Sequence, residues 1–224
     1  MRIFYDIDSL PAFRAPVVTV GSFDGVHRGH LHLLAELRAR AAMVGGSAAG
    51  DGTVDAVAET VVVTFARHPR ELLEPGGAPM QLTSVAEKEA LIARAGIDNL
   101  VVMPFDERIA AMTAEEFVRD VLVGRLGVAE LVVGYNHRLG RDRQGDIEAL
   151  RELGSRYGFR VHRAARLTDG AGGGNVHESG SIEGETSDSG VGGGAEGKIS
   201  STAIRRAIER GDVEAAERML GRKI

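Results

Sequence analysis

Four short runs of aliphatic and β-branched residues dominate this chain: Val17–Phe23 (VVTVGSF), Val61–Phe65 (VVVTF), Leu100–Pro104 (LVVMP) and Leu131–Gly134 (LVVG). Each is apolar at successive positions rather than at alternate ones, so both faces of each strand need covering. The segments between them carry helical periodicity. Arg28 to about Met43 spaces Leu31, Leu34, Leu37 and Ala41 along one stripe, and Val85–Ala95 does the same with Ala86, Ala90 and Leu91. Thr113 and Glu116 form a capping box that opens a helix to about Leu126. A helix over Ile147–Tyr157, a strand over Phe159–His162 and two closing helices, Ser200–Arg210 and Asp212–Leu220, complete the reading. Strands of this kind alternating with helices predict an α/β fold with a parallel sheet covered on both faces. In such sheets the ligand sits beyond the carboxyl ends of the strands.

Composition narrows the function classes. The 224 residues suit one domain. Aromatics are 4% and Trp is absent, which argues against a base-stacking nucleic-acid surface. There is no Cys, hence no disulfide, thiol nucleophile or thiolate metal site, in keeping with a cytoplasmic setting. No apolar run reaches the ~20 residues of a membrane span, and the N-terminus lacks the apolar core of a signal peptide. Glycine is unevenly spread. Eleven of the 30 glycines, and six acids with no Lys or Arg, lie within 168–197; without those acids the formal charge moves from −5 to +1. Such a composition predicts a disordered, acidic, Gly-rich insert. A smaller Gly/Ala-rich insert is expected from about Gly45 to Asp55.

The chemistry concentrates at the first strand-to-helix connection, Gly21-Ser22-Phe23-Asp24-Gly25-Val26-His27-Arg28-Gly29-His30. A strand ends, two glycines permit a tight turn and a helix begins, the arrangement that presents amide groups to a phosphate. His27 and His30 are three apart and both can face that cradle, with Gly29 leaving room for a ligand. Capping, core packing or a zinc pair are the alternatives; for zinc no third ligand is evident. A second phosphate motif is Ile199-Ser200-Ser201-Thr202-Ala203-Ile204-Arg205, three hydroxyls at a helix start with an arginine one turn on. Gly192–Ile199 approximates a phosphate-binding P-loop, but Ile199 stands where Ser or Thr would hold magnesium.

Together, FDGVHRGH and ISSTAIR resemble the nucleotidyltransferase superfamily with the HxGH signature. More narrowly, the chain is similar to the FMN adenylyltransferase (FAD synthetase) module of bacterial bifunctional riboflavin kinase/FAD synthetases. Segments 61–75, 82–105, 132–146 and 211–222 follow the same pattern in order. The resemblance implies a Rossmann-like doubly wound sheet spanning 1–224, which transfers AMP from ATP to FMN with Mg²⁺. It implies ATP contacts from Gly21, Ser22, Phe23, Asp24, Gly25, Ser200, Ser201 and Thr202, with His27, His30 and Arg205 as the reacting-phosphate groups. It implies FMN contacts from His68, Pro69, Asn136 and the position of Leu139. The metal ligands are not implied. Departures are Ala66-Arg67 for the family's frequent Asp-Pro, and His137 and Leu139 for aromatics; Tyr135 or His137 is expected to compensate for the missing ring. No riboflavin kinase domain is expected within these residues, so that activity would belong to a separate or truncated part. The rival readings are nucleotidyl transfer to another phosphorylated acceptor and a flavin- or nucleotide-binding module without turnover.

Overall fold

The computed structural model describes residues 1–47, 57–67, 72, 79–135, 137–141, 144–167 and 199–224. The 168–197 insert, the P-loop-like Gly192–Lys198 and most of the smaller insert lie outside these residues.

Six strands form one all-parallel sheet: β1 (Arg2–Phe4), β2 (Val17–Val20), β3 (Thr60–Phe65), β4 (Asn99–Met103), β5 (Glu130–Val133) and β6 (Arg160–Arg163), in the order β1-β4-β3-β2-β5-β6. Between β2 and β3 runs α1 (Arg28–Ser47); between β3 and β4, α2 (Val85–Arg94). α3 (Glu107–Ala111) and α4 (Ala114–Glu116) follow β4, and α4 continues as a π-helix, Phe117–Val123. α5 (Ile147–Tyr157) links β5 to β6, and α6 (Ser201–Glu209) and α7 (Val213–Leu220) close the chain.

The continuous apolar runs are explained by burial on both sides. Successive strand residues point to opposite faces. Val18, Val20, Val61 and Val63 join one core with Phe117, Val118, Leu122 and Leu150. Val17, Val62, Leu100 and Val132 join the other with Leu33, Leu34 and Leu37 of α1 and Ile92 of α2. Each fully buried aliphatic side chain contributes about 1.5–3 kcal/mol relative to exposure.

Several local expectations shift. Leu31 is half exposed and Leu33 takes its place in the buried stripe of α1. On α2 the buried positions are Lys88 and Ile92, one turn apart, while Ala86 and Ala90 face outward. The segment expected as one helix to Leu126 is a single capped turn followed by the π-helix. Its wider turn brings Phe117, Val118, Val121 and Leu122 all into the core. β1 and α3 have no apolar run long enough to mark them in the sequence.

The strand order places the site. From β2 the chain steps through β3 to β4 in one direction, then returns to lay β5 on the other side of β2 and β6 beyond it. The connections therefore diverge between β2 and β5, and a crevice opens at their carboxyl ends.

Candidate active site

That crevice is a cleft of about 350 Å³. Gly21, Ser22 and Phe23 enter it from the end of β2, Gly134 and Tyr135 from the end of β5, and Ala164–Leu167 from the end of β6. The start of α1 contributes His27, Gly29 and His30, and Ser200 closes the side next to α6.

The loop that carries the histidines is held in an uncommon backbone conformation. Phe23, Gly25 and Val26 have φ of 48°, 81° and 36°. Positive φ in a β-branched residue costs of order 1–3 kcal/mol and persists only where the surroundings enforce it. Here Phe23 and Val26 are sealed in the core at 1% and 0% exposure. Gly21 N–H donates to the Val63 carbonyl (3.0 Å), and Gly25 N–H to Thr83 Oγ1 (3.1 Å). Arg222, just after α7, donates to the carbonyls of Gly25 (2.8 Å) and Val26 (3.3 Å).

His27 and His30 stack face to face, with ring centres 3.6 Å apart and planes 12° from parallel. His30 N–H donates to His27 Nδ1 (3.2 Å). That bond assigns the His27 proton to Nε2, leaving an N–H to offer a ligand. Burial pushes His27 down to about 4. Burial also holds His30 well below the usual imidazole range, helped by His27 and by the Lys88 ammonium. Both rings are therefore neutral near pH 7, and His30 Nδ1 is buried without a hydrogen-bond partner. A Cβ on Gly29 would lie 3.2 Å from His27 Cε1 and Nδ1. The glycine thus makes room for the folded-back His27 ring at the edge of the cleft that it lines.

The second motif sits differently from its expected place. Ser200 caps α6, accepting from Ala203 N–H (3.2 Å), and lines the cleft. Ser201 Oγ donates to the Asp24 carbonyl (2.9 Å), and Thr202 is exposed. Arg205 faces inward, only 8% exposed. Its guanidinium pairs with the Asp24 carboxylate, while Nε donates to the Met80 carbonyl (2.7 Å). Asp24 also accepts from the amides of Leu82 (2.8 Å) and Thr83 (3.3 Å). Asp24 and Arg205, expected as two ATP contacts, engage each other. Neither lines the cleft, nor do Gly25, Ser201 and Thr202. Leu139 is buried at 6% and bridges Gly145. His68, Pro69 and Asn136 lie outside the described residues.

A family model described as FAD synthetase matches residues 11–175, which include the histidine loop and five of the six strands. This chain is a member of the FAD synthetase family. A bifunctional riboflavin kinase/FMN adenylyltransferase of Pseudomonas fluorescens is 34% identical over 95% of this chain and 56% of its own length. The protein of the same name from Escherichia coli K12 is 34% identical over 92% of this chain and 54% of its own. A Streptococcus pneumoniae crystal structure described as a macrolide-efflux protein superposes with a TM-score of 0.67 at 25% identity. It covers 98% of this chain, which spans 59% of that one. The chain thus spans a little over half the length of the relatives it matches.

Within this FAD synthetase domain, the wall after β6 was not legible in the sequence. Glu36 of α1 fastens it, accepting from Ala165 N–H (2.9 Å) and lying 3.0 Å from His162 Nε2. Tyr135 stands half exposed in the cleft with the Arg163 guanidinium 4.4 Å and that of Arg166 5.5 Å from its ring centre. The general rule that sites gather at strand carboxyl ends points to these positions, but only the strand order tells which ends are neighbours. No helix among the described residues is long and apolar enough to cross a membrane. The described residues hold no group of three or more His, Asp or Glu side chains arranged to take a metal ion.

Proposed function

We propose that this chain transfers AMP from ATP to FMN, forming FAD and pyrophosphate. The observation that carries the reading is the stacked, neutral His27–His30 pair at the start of α1, in the switch-point cleft of a FAD synthetase family member. ATP occupies the 350 Å³ cleft, with its phosphates toward His27, His30, Ser22 and Ser200. An oxygen of the FMN phosphate bonds to the α-phosphorus, the bond from that phosphorus to the bridging β-phosphate oxygen breaks, and the electron pair leaves with pyrophosphate. The attacking oxygen is already ionised near pH 7, so no general base is needed. Catalysis then rests on positioning and on donors aimed at the charged phosphoryl group. Neutral imidazoles suit this work: the Nε2–H of His27 is fixed by its Nδ1 hydrogen bond and donates without needing to be charged.

Gly21, Phe23 and Gly25 shape the loop. Asp24 and Arg205 act by locking it to α6, and Ser201 and Thr202 belong to the same helix start. The acceptor side draws on His68, Pro69 and Asn136, with Tyr135 at the cleft as the available ring. Leu139 is committed to packing. Mg²⁺ would arrive with ATP, where its chemistry would be to neutralise polyphosphate charge. A cysteine-free chain acting on ATP is assigned to the cytoplasm. Of the two activities in its relatives' name, the adenylyltransferase is proposed for these residues.

Incubation of the purified chain with ATP, Mg²⁺ and either FMN or riboflavin tests this. FMN is expected to yield FAD and pyrophosphate, and riboflavin to yield no FMN. Absence of FAD, or ATP-dependent phosphorylation of riboflavin, overturns the reading.

A further inference from the structure

Among the described residues that line the cleft, Arg166 alone carries a permanent charge. The lining holds no Asp, Glu or Lys, and burial keeps His27 and His30 neutral near pH 7. Arg205 is engaged by Asp24 and does not reach the lining. The Arg166 guanidinium lies 5.5 Å from the ring centre of Tyr135, and that of Arg163 4.4 Å from the same ring. Arg163 also donates to the Tyr135 carbonyl (3.1 Å), which ties it to the end of β5. A guanidinium attracted to a ring face keeps its N–H groups for other partners. An exposed Arg166 in that position can offer them to an anion in the cleft.

The segment that carries Arg166 belongs to no strand or helix. Ala164 N–H still donates to the Val133 carbonyl (2.8 Å), continuing the sheet. The next amide leaves it: Ala165 N–H donates to Glu36 Oε1 (2.9 Å). Glu36 Oε2 lies 3.0 Å from His162 Nε2 on β6, and His32 Nε2, one turn back on α1, is 2.9 Å from Oε1. An acid on a helix is ordinarily a solvated surface group, but this half-buried carboxylate holds the backbone of the residue next to Arg166. Glu36 stands on the helix whose start presents His27 and His30. One side chain therefore sets how far the Arg166 segment stands from the histidine end of α1. Glu36 does not itself line the cleft.

We propose that Arg166 is the cation that meets the polyphosphate of ATP in this cleft, and that Glu36 is the positioning residue that holds it there through the Ala165 amide. The inference rests on the adenylyl-transfer reading and adds to it a side chain from the wall after β6. The planar guanidinium can grip two phosphate oxygens at once, and its charge-assisted bonds are the strong ones. Neutral histidines supply donors but no charge, so Arg166 supplies what they lack. Glu36 acts at one remove. With its carboxylate gone, the segment loses its tie to α1, and binding ATP must then also order it.

The test measures FAD formation in the wild type, Arg166→Ala, Glu36→Ala, Glu36→Gln and the Glu36→Ala/Arg166→Ala double variant, with inorganic tripolyphosphate as a competitor of ATP. Arg166 is exposed, so its variant folds whatever its role. Arg166→Ala is expected to raise the KM for ATP and the inhibition constant of tripolyphosphate about tenfold each, with the KM for FMN changed less than about twofold. Glu36→Ala is expected to raise the KM for ATP in the same selective way. Glu36→Gln, which keeps an acceptor for the Ala165 amide, is expected to recover part of the loss. Because both residues act through one guanidinium, the double variant is expected to be no worse than the poorer single. An unchanged KM for ATP in Arg166→Ala, a loss for ATP but not for tripolyphosphate, or no inhibition of the wild type by tripolyphosphate overturns the Arg166 assignment. Additive losses in the double variant, or a Glu36→Ala protein that is less stable but unchanged toward ATP, overturn the positioning role. Failure of the broader reading looks different: the wild type then makes no FAD from ATP and FMN, whereas failure of this inference alone leaves FAD formation intact.

Discussion

Replacing Arg205 separates a structural role from a ligand-gripping one. Read as a surface arginine near a helix start, its removal would change stability by less than about 0.5 kcal/mol. The structure gives a different magnitude. Arg205 and Asp24 are 8% and 3% exposed, and the guanidinium bridges the carboxylate and the Met80 carbonyl. Arg205→Ala leaves the Asp24 carboxylate buried with two amide donors and no cation in contact. Breaking a buried pair in this way costs about 3–5 kcal/mol. For a chain of this length, each kcal/mol lowers the melting temperature by about 2–4 °C, giving a fall of about 6–20 °C. Arg205→Lys keeps the charge but not the fork, and is expected to fall between. The Asp24→Asn/Arg205→Met double variant removes both charges and is expected to recover much of the loss, since a neutral buried pair has no uncompensated ion. Calorimetry and urea unfolding of the wild type, Asp24→Asn, Arg205→Met and the double variant form a double-mutant cycle. A melting temperature for Arg205→Ala within about 2 °C of wild type, or a double variant as unstable as the sum of the singles, refutes the reasoning.

The histidine pair predicts a pH dependence. Folding holds His27 neutral down to about pH 4 while the unfolded chain protonates near 6.5, so the unfolded state carries more protons between those values. The stability contribution is complete above about pH 6.5 and is lost as pH falls toward 4. At pH 5, His27 alone accounts for about 2 kcal/mol, with His30 adding in the same direction. Urea unfolding at pH 7.5 and 5.0 checks this; an equal pH 5 loss in a His27→Gln/His30→Gln variant would exclude the pair as its source. Gly25→Ala combines a φ of +81° with a Cβ 2.9 Å from Leu82 Cδ1. It is expected to destabilise by about 1–3 kcal/mol and to lower FAD formation; a neutral effect on both would show that the loop is not under strain. Leu37→Ala, deep between α1 and the sheet, is expected to cost about 2–5 kcal/mol with ATP affinity at low temperature retained. A selective loss of ATP binding at unchanged stability would contradict its packing role.

The α/β class was legible because parallel strands buried on both faces leave a mark at every residue. Val17-Val18-Thr19-Val20 and Val61-Val62-Val63 can hardly be accommodated otherwise. The histidine loop was legible for a related reason: strand, glycines and helix start are local features, and their order along the chain is their order in space. His27, His30 and Ser22 accordingly meet in one cleft, which Ser200 reaches only because α6 packs against the loop. Three further matters needed the tertiary structure. The strand order brought Gly134, Tyr135 and the segment after β6 against the loop, and no local pattern encodes which strand ends become neighbours. The roles of Asp24 and Arg205 turned on a contact between residues 181 positions apart. A charged residue reads the same in sequence whether it faces a ligand or another side chain. Glu36 was hidden for the same reason. On α1 it reads as one more helix-surface acid, and its partners at His162 and Ala165 were visible only once β6 had been laid beside β5. Periodicity is a property of the local chain, whereas the pairing of buried charges is decided by where distant segments are brought together.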